Sequence, residues 1–226
     1  MWKDAIRERG FFIFPALFLP RNLEALGKAF AQPDVKRSRA GVRHALRIPA
    51  VADIASDPRL MKIASGVLGE GAVPYHATLF EKSPEANWLV VWHQDTALPL
   101  RERKEVPGWG PWSVKEDITY AHAPASALEK VLALRLHLDD STSENGPLRV
   151  LPATHNRGVL TDDALHELSQ QIRPVECAAG SGGVVAMCPL LVHSSSKSLN
   201  DAPRRVLHIE YAASMQIEDD LVLAQA

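Results

Sequence analysis

Val131-Leu-Ala-Leu-Arg-Leu-His-Leu138, the turn residues Asn145-Gly146-Pro147 and the short return Leu148-Arg-Val-Leu151 form the stretch that decides the fold. An apolar run bounded by turn chemistry reads as a strand, and the sequence repeats that pattern in both directions. Residues 73–80 and 88–92 precede it; residues 183–187, 190–193 and 205–211 follow. Ser83-Pro84, Gly180-Ser-Gly-Gly183 and Asn200-Asp-Ala-Pro203 separate these runs. Many short strands joined by polar turns predict a jelly roll or barrel.

The first third reads differently. Residues 2–9 fit a short helix ended by Gly10, and residues 11–14 fit a strand. Residues 21–30 place Leu23, Leu26 and Phe30 on one helical face. Asp57-Pro58 starts another helix, with Asp as cap and Pro at the first position; it runs through Leu60, Ile63, Val67 and Leu68. One more helix, residues 161–170, interrupts the strands. Residues 99–127, rich in Trp, Pro and Lys, lack periodicity and read as an irregular functional insert. The expected organisation is one domain, 1–226: a helical flank 1–70 and a mainly β jelly-roll core 71–215 carrying the insert 99–127.

Composition narrows the function classes. With 226 residues and a net charge of -2, the chain has no electrostatic footprint for nucleic acid. Cys177 and Cys188 form neither a CxxC pattern nor a disulfide framework, which fits reduced thiols in a cytoplasmic protein. The apolar stretch from Gly10 to Pro20 is too short for a membrane span, which needs roughly 20 residues. It is also broken by Pro15 and Pro20. The expected partner is a small-molecule substrate, with no nucleic acid and no membrane; the sequence leaves the oligomeric state open.

The chemistry centres on His93-Gln94-Asp95, which follows the apolar run Trp88-Leu-Val-Val-Trp92. On a strand, residues i and i+2 share a face, so His93 and Asp95 can reach one metal ion. His193, at the end of Leu190-Leu-Val-His193, is the best third ligand. Two His and one carboxylate on one face of iron(II) leave positions open for a chelating keto acid and for O2. 2-Oxoglutarate then needs a cation for its distal carboxylate, and Arg suits bidentate binding better than Lys. Arg204 lies across a polar turn from His193, where an antiparallel return would bring it alongside.

Asn87-Trp-Leu-Val-Val-Trp-His-Gln-Asp95, the block from Leu134 to His155 containing Leu138-Asp-Asp and Ser143-Glu-Asn-Gly-Pro-Leu-Arg-Val-Leu-Pro152, and His193 with Arg204 together resemble the phytanoyl-CoA dioxygenase family. The resemblance covers residues 78–213. It implies a double-stranded β-helix core of cupin-like type, an Fe(II) site and 2-oxoglutarate-dependent hydroxylation of an unactivated C–H bond, with release of succinate and CO2. It places the metal ligands on His93, Asp95 and His193, the distal-carboxylate partner on Arg204, a nearby hydroxyl on Ser195 and a further co-substrate residue on Arg135. Pro152-Ala-Thr-His155 departs from the family's usual Pro-Gly-Ser-His, altering a turn but no ligand. Halogenating relatives replace the carboxylate ligand by a small residue, so Asp95 points to hydroxylation.

Around these residues, Trp92, Gln94, Trp112, Lys115 and His137 are candidates to line the substrate pocket. Gln94 faces away from His93 and Asp95 on an ideal strand, which suits a supporting role. His137 shares a strand face with Arg135. Trp109, Trp112 and Lys115 lie in the insert, where a lid or clamp is one reading and a packed loop the other. Asn145-Gly146-Pro147 reads as a turn without chemistry, and His155 as a turn-stabilising residue. Two rivals remain: a cupin-like metalloenzyme that is not an oxygenase, which would not need Arg204, and a catalytically silent binding homologue.

Overall fold

The computed structural model describes residues 1–226 apart from 39, 40, 85 and 219. The first part of the chain runs α1 (Trp2–Arg9), β1 (Phe11–Phe14), α2 (Pro20–Phe30), β2 (Gly41–Val42), α3 (Pro49–Ala55) and α4 (Pro58–Leu68). Then follow β3 (Val73–Lys82), β4 (Val90–His93), β5 (Ala97–Leu100), β6 (Trp112–Lys115), β7 (Ile118–His122), α5 (Ala125–Leu128), β8 (Val131–His137) and β9 (Leu148–Val150). The remainder is α6 (Asp162–Gln171), β10 (Val175–Cys177), β11 (Val184–Met187), β12 (His193–Ser195), β13 (Arg204–Ala212), β14 (Gln216–Glu218) and β15 (Leu221–Val222).

Two sheets make the jelly roll. The larger has the order β1-β11-β8-β13-β3-β2, and the smaller has the order β10-β9-β12-β4. Alternation along the strands of the larger sheet divides its faces. Leu132, Leu134 and Leu136 of β8, Ala77 and Leu79 of β3, and Leu207 and Ile209 of β13 join one core cluster with Leu26 and Phe30 of α2 and Leu60 and Ile63 of α4. Arg135, Thr78, Phe80, Lys82, Arg204 and His208, at intervening positions, line a cavity. The helices therefore seal one face while the other carries polar chemistry.

Local chemistry sets the helix ends. The Asp57 carboxylate accepts from the Arg59 backbone N–H at the start of α4, and the Thr161 hydroxyl accepts from Ala164 N–H at the start of α6. Gly10 ends α1 at φ 83°, and a Cβ there would sit 2.6 Å from His155 Nδ1. His155 bonds through Nε2 to the Arg7 carbonyl, so it secures the end of α1.

Two expectations need correction. Residues 99–127 are irregular only in part, over 101–111: β5, β7 and β6 form an antiparallel sheet, and β6 turns into β7 through Glu116 and Asp117, both at positive φ. Ser113, Val114 and Lys115 of β6 are exposed, so this edge strand shows no apolar alternation. The run Leu190–His193 is not one strand, since β12 begins at His193; Leu190, Leu191 and Val192 are apolar because the turn before it is buried. Beyond residue 215, β14 and β15 form a separate two-stranded sheet that buries Ile217 and Leu221. Among the described residues, no helix is long and apolar enough to cross a membrane.

Candidate active site

Strand register brings the distant histidines together. β12 pairs antiparallel with β4, with His193 directly opposite His93. Their ring centroids are 4.1 Å apart. Asp95 Oδ1 lies 3.6 Å from His93 Nε2, and its Oδ2 lies 3.4 Å from His193 Nε2. Each imidazole Nδ1 donates to a backbone carbonyl two residues earlier, His93 to Val91 at 2.9 Å and His193 to Leu191 at 2.8 Å. That orients each ring with Nε2 toward the carboxylate, and Asp95, against burial, holds the His93 pKa above its usual range. Burial opposes charge on Asp95, but His193 and His93 outweigh it and hold the carboxyl below its usual range. Burial pushes His193 down to about 4, so the ring is neutral and ready to ligate. The three ligand atoms lie within 4.8 Å of one another, and His93 and Asp95 remain about one-third exposed on the cavity side. These residues fit a divalent ion bound on one face with positions left open.

To one side of the triad lies a cationic end. Lys82 of β3 stands opposite Arg204 of β13, and Arg135 of β8 stands opposite His208 of β13. Lys82 Nζ donates to Ser195 Oγ at 2.8 Å and to the Ser196 carbonyl. Ser195 Oγ donates to the Gly146 carbonyl at 2.9 Å and receives a long contact from Arg204 at 3.5 Å. Arg135 donates to His208 Nδ1 at 2.9 Å and lies over the Phe80 ring. Arg204 Nε and Arg135 Nε are buried without a hydrogen-bond partner. Among the described residues, no carboxylate forms an ion pair with any of the three cations. Burial, with repulsion from Arg204 and Arg135, pushes Lys82 down to about 8; burial and Arg135 push Arg204 down to about 10. Buried cations without a counter-ion and with unsatisfied donors are costly, and a dicarboxylate is the ligand that resolves both. Outside the cavity, Arg205 holds Asp139 bidentately at 2.7 and 2.8 Å, which anchors the start of β13 and hence Arg204.

The opposite end is a hydrogen-bonded wall. β13 pairs Glu210 with His76 but Tyr211 with Pro74, so Tyr75 is an extra residue in β3. The bulge lets two consecutive side chains reach one partner. Tyr75 Oη donates to Glu210 Oε1 at 3.2 Å, and His76 Nδ1 meets Glu210 Oε2 at 2.5 Å. His76 Nε2 lies 3.3 Å from Tyr120 Oη, which lies 2.9 Å from His44 Nε2. Burial raises the Glu210 pKa, but His76 outweighs it and keeps the carboxyl ionised. With Glu210 accepting, His76 Nδ1 must donate; Tyr120 then donates to Nε2 and accepts from His44.

The cavity between the two ends has a volume of about 430 Å³. His93, Asp95, His193, Arg204, Ser195, Arg135, Lys115 and Gln94 all line it. The Gln94 amide is already engaged: it donates to the Gly158 and Leu190 carbonyls at 2.9 and 2.7 Å and accepts from Leu160 N–H. It ties the two ligand-bearing segments to a common loop and is not free for a substrate. Trp92, Trp112 and His137 do not line the cavity, which corrects that expectation. Trp92 points to the other face of its strand and packs against Leu165 and Leu168 of α6. Trp112 packs in the cluster of Leu98, Leu100 and Trp109. His137 is buried behind Arg135 and Arg204, and burial holds it near pKa 3.

Lys82, His76, Tyr120, Glu210 and Arg43 were missed. A signal existed: His76, Thr78, Phe80 and Lys82 recur at spacing two while Ala77 and Leu79 are apolar. Gly146 was also underestimated. It sits at φ 68°, and a Cβ there would lie 2.3 Å from the Ser196 carbonyl and 3.1 Å from Lys82 Nζ. The turn therefore closes the cationic end and is more than a connection.

Comparison with known proteins agrees with this geometry. Residues 6–206 match the family model described as Phytanoyl-CoA dioxygenase (PhyH). L-proline trans-4-hydroxylase from Streptomyces griseoviridis is 27% identical over 180 residues, covering 68% of this chain; the chain spans 59% of that relative's length. EctD from S. alaskensis, solved with bound Fe, superposes with a TM-score of 0.71 at 20% identity over 96% of this chain and 76% of that one. The same protein has been solved with 2-oxoglutarate and 5-hydroxyectoine. AviO1 from Streptomyces viridochromogenes Tue57 superposes with a TM-score of 0.66 at 23% identity over 93% of each chain. These likenesses establish the jelly-roll fold, and the match over residues 6–206 establishes kinship: the chain belongs to the phytanoyl-CoA dioxygenase (PhyH) family.

Proposed function

We propose that the protein is a 2-oxoglutarate-dependent dioxygenase that hydroxylates an unactivated C–H bond of a small organic substrate. One observation carries this: a two-His, one-carboxylate cluster opens onto the same cavity as three buried cations that have no carboxylate partner among the described residues. His93, Asp95 and His193 would hold iron(II). Arg204, Lys82 and Ser195 would grip the distal carboxylate of 2-oxoglutarate, with Arg135 beside them. Bound there, iron(II) and 2-oxoglutarate supply an oxidation in which O2 gives one atom to succinate and one to the substrate, with loss of CO2.

The chain's own residues do the positioning. His193, which burial keeps neutral, and His93, whose pKa Asp95 raises against burial so that a metal ion would displace a proton there, are oriented by their Nδ1 bonds and present Nε2 to the ion. Ionised Asp95 supplies the negative ligand. The cationic end fixes the co-substrate's far carboxylate and so orients its other end toward the triad. The rigid Glu210–His76–Tyr120 wall leaves the facing side for the substrate. A small, amino-acid-sized substrate fits this volume, and the relative that acts on L-proline supports that class.

The test measures succinate release from protein loaded with iron(II) and 2-oxoglutarate, with and without oxygen. Oxygen-dependent succinate is expected. A protein that binds metal yet forms no succinate in any substrate screen belongs to a non-oxygenase or silent class.

A further inference from the structure

The charges lining the cavity do not balance even with the proposed contents in place. Arg43, Lys82, Lys115, Arg135 and Arg204 face Asp95 and Glu210 in a chain whose net charge is -2. An iron(II) dication and a 2-oxoglutarate dianion cancel each other. Lys82, Arg135 and Arg204 lie at the co-substrate end. Arg43 and Lys115 stand apart from that end, near Tyr120, and carry the rest of the surplus. Lys115 Nζ stands 5.0 Å from the centroid of the Tyr120 ring. Glu116, next in sequence, lies 3.5 Å from His44 Nδ1 and not on either cation. Glu210 spends both oxygens on His76 and Tyr75 and forms no ion pair with either cation.

We propose that the substrate is a small organic acid whose anionic group docks between Arg43 and Lys115 above Tyr120, so that the C–H bond to be oxidised hangs toward the His93–Asp95–His193 cluster. This rests on the oxygenase function proposed above. A focused positive potential in a narrow cleft selects anions and speeds their capture. At about 430 Å³ the cavity lies toward the low end of ligand pockets, roughly 300–1,000 Å³, and it must admit two molecules together. Carboxylates and phosphate monoesters share the required chemistry.

The experiment loads the full chain with iron(II) and 2-oxoglutarate and follows 2-oxoglutarate consumption with three probe sets. These are small carboxylic acids including L-proline, their carboxamides, and small phosphate monoesters. Stimulation by acids or by phosphates, but not by carboxamides, is expected, and the stimulating set identifies the anion. The variant Arg43→Ala/Lys115→Ala should raise KM for the stimulating probe by at least about tenfold, with 2-oxoglutarate affinity unchanged. Both side chains are exposed, so the variant should fold. Carboxamides as effective as the acids, or a double variant with wild-type KM, would overturn the proposal. So would a protein that binds 2-oxoglutarate but responds to no anion. A wild-type protein that binds no 2-oxoglutarate removes the oxygenase function itself, and this inference with it.

Discussion

At one end of the cavity, Lys82, Arg135 and Arg204 converge with buried donors left unpaired. At the other, Glu210, Tyr75, His76, Tyr120 and His44 hydrogen-bond one another in a chain, with His44 Nδ1 left over at its outer end. The larger sheet supplies Lys82, Arg135 and Arg204 to the first and Tyr75, His76 and Glu210 to the second, where Tyr120 of β7 and His44 join them. The difference separates two uses of buried polarity. A network whose buried carboxylate is met on both oxygens makes a rigid wall. A cluster that cannot close waits for a ligand.

The largest effect should come at the centre, where both ends meet. Asp95→Ala removes the negative ligand and should abolish iron-dependent succinate formation; undiminished succinate production would break the ligand assignment. Next comes the open end. Arg204→Ala should weaken 2-oxoglutarate binding by about tenfold or more, since hydrogen bonds to charged groups are worth roughly 1.5–3 kcal/mol. Calorimetric titration reads this directly, and unchanged affinity would deny Arg204 its role.

A pH titration sharpens the contrast. Lys82 is depressed to about 8 by burial, Arg204 and Arg135, so the free protein loses this charge as pH rises past 8. A bound carboxylate favours the ammonium. Affinity for 2-oxoglutarate should therefore fall between about pH 7 and pH 9, with proton uptake on binding. Lys82→Met should weaken binding at pH 7 and flatten that slope; a wild-type slope in the variant would contradict the assignment.

The closed end should respond least to co-substrate and most in stability. Glu210→Gln keeps the shape but removes the charge that His76 faces, and should cost about 1–3 kcal/mol in denaturant unfolding. Because the Glu210 pKa is lowered in the folded protein, its contribution is present at neutral pH and lost as pH falls through the folded value. The wild type should thus lose more stability on acidification than Glu210→Gln does. A Glu210→Gln variant that loses 2-oxoglutarate affinity as strongly as Arg204→Ala would erase the distinction between the two ends.

Much of the active site was legible in the chain. His93 and Asp95 announced themselves by spacing two after an apolar strand, and His193 and Arg204 by their place around a polar turn. Lys82 and His76 carried the same kind of signal, but a polar residue at alternate positions of a strand usually faces water. Only the second sheet packed across that face turns the stripe inward. Trp92 and Trp112 misled for the converse reason. An aromatic beside a ligand or in an insert invites a substrate role, yet strand parity sends Trp92 to α6 and the β5–β7–β6 sheet absorbs Trp112.

The sequence by itself determined the local choices: strand parity, helix caps at Asp57 and Thr161, the turn at Gly146, and the residue types able to bind a metal and a dicarboxylate. These depend on near neighbours and on side-chain chemistry. Tertiary structure alone decided which polar residues share a cavity, which cations lack a counter-ion and where the bulge at Tyr75 aims two side chains at one carboxylate. Those facts depend on strand register and on the packing of one sheet over another, which bring together residues more than a hundred positions apart.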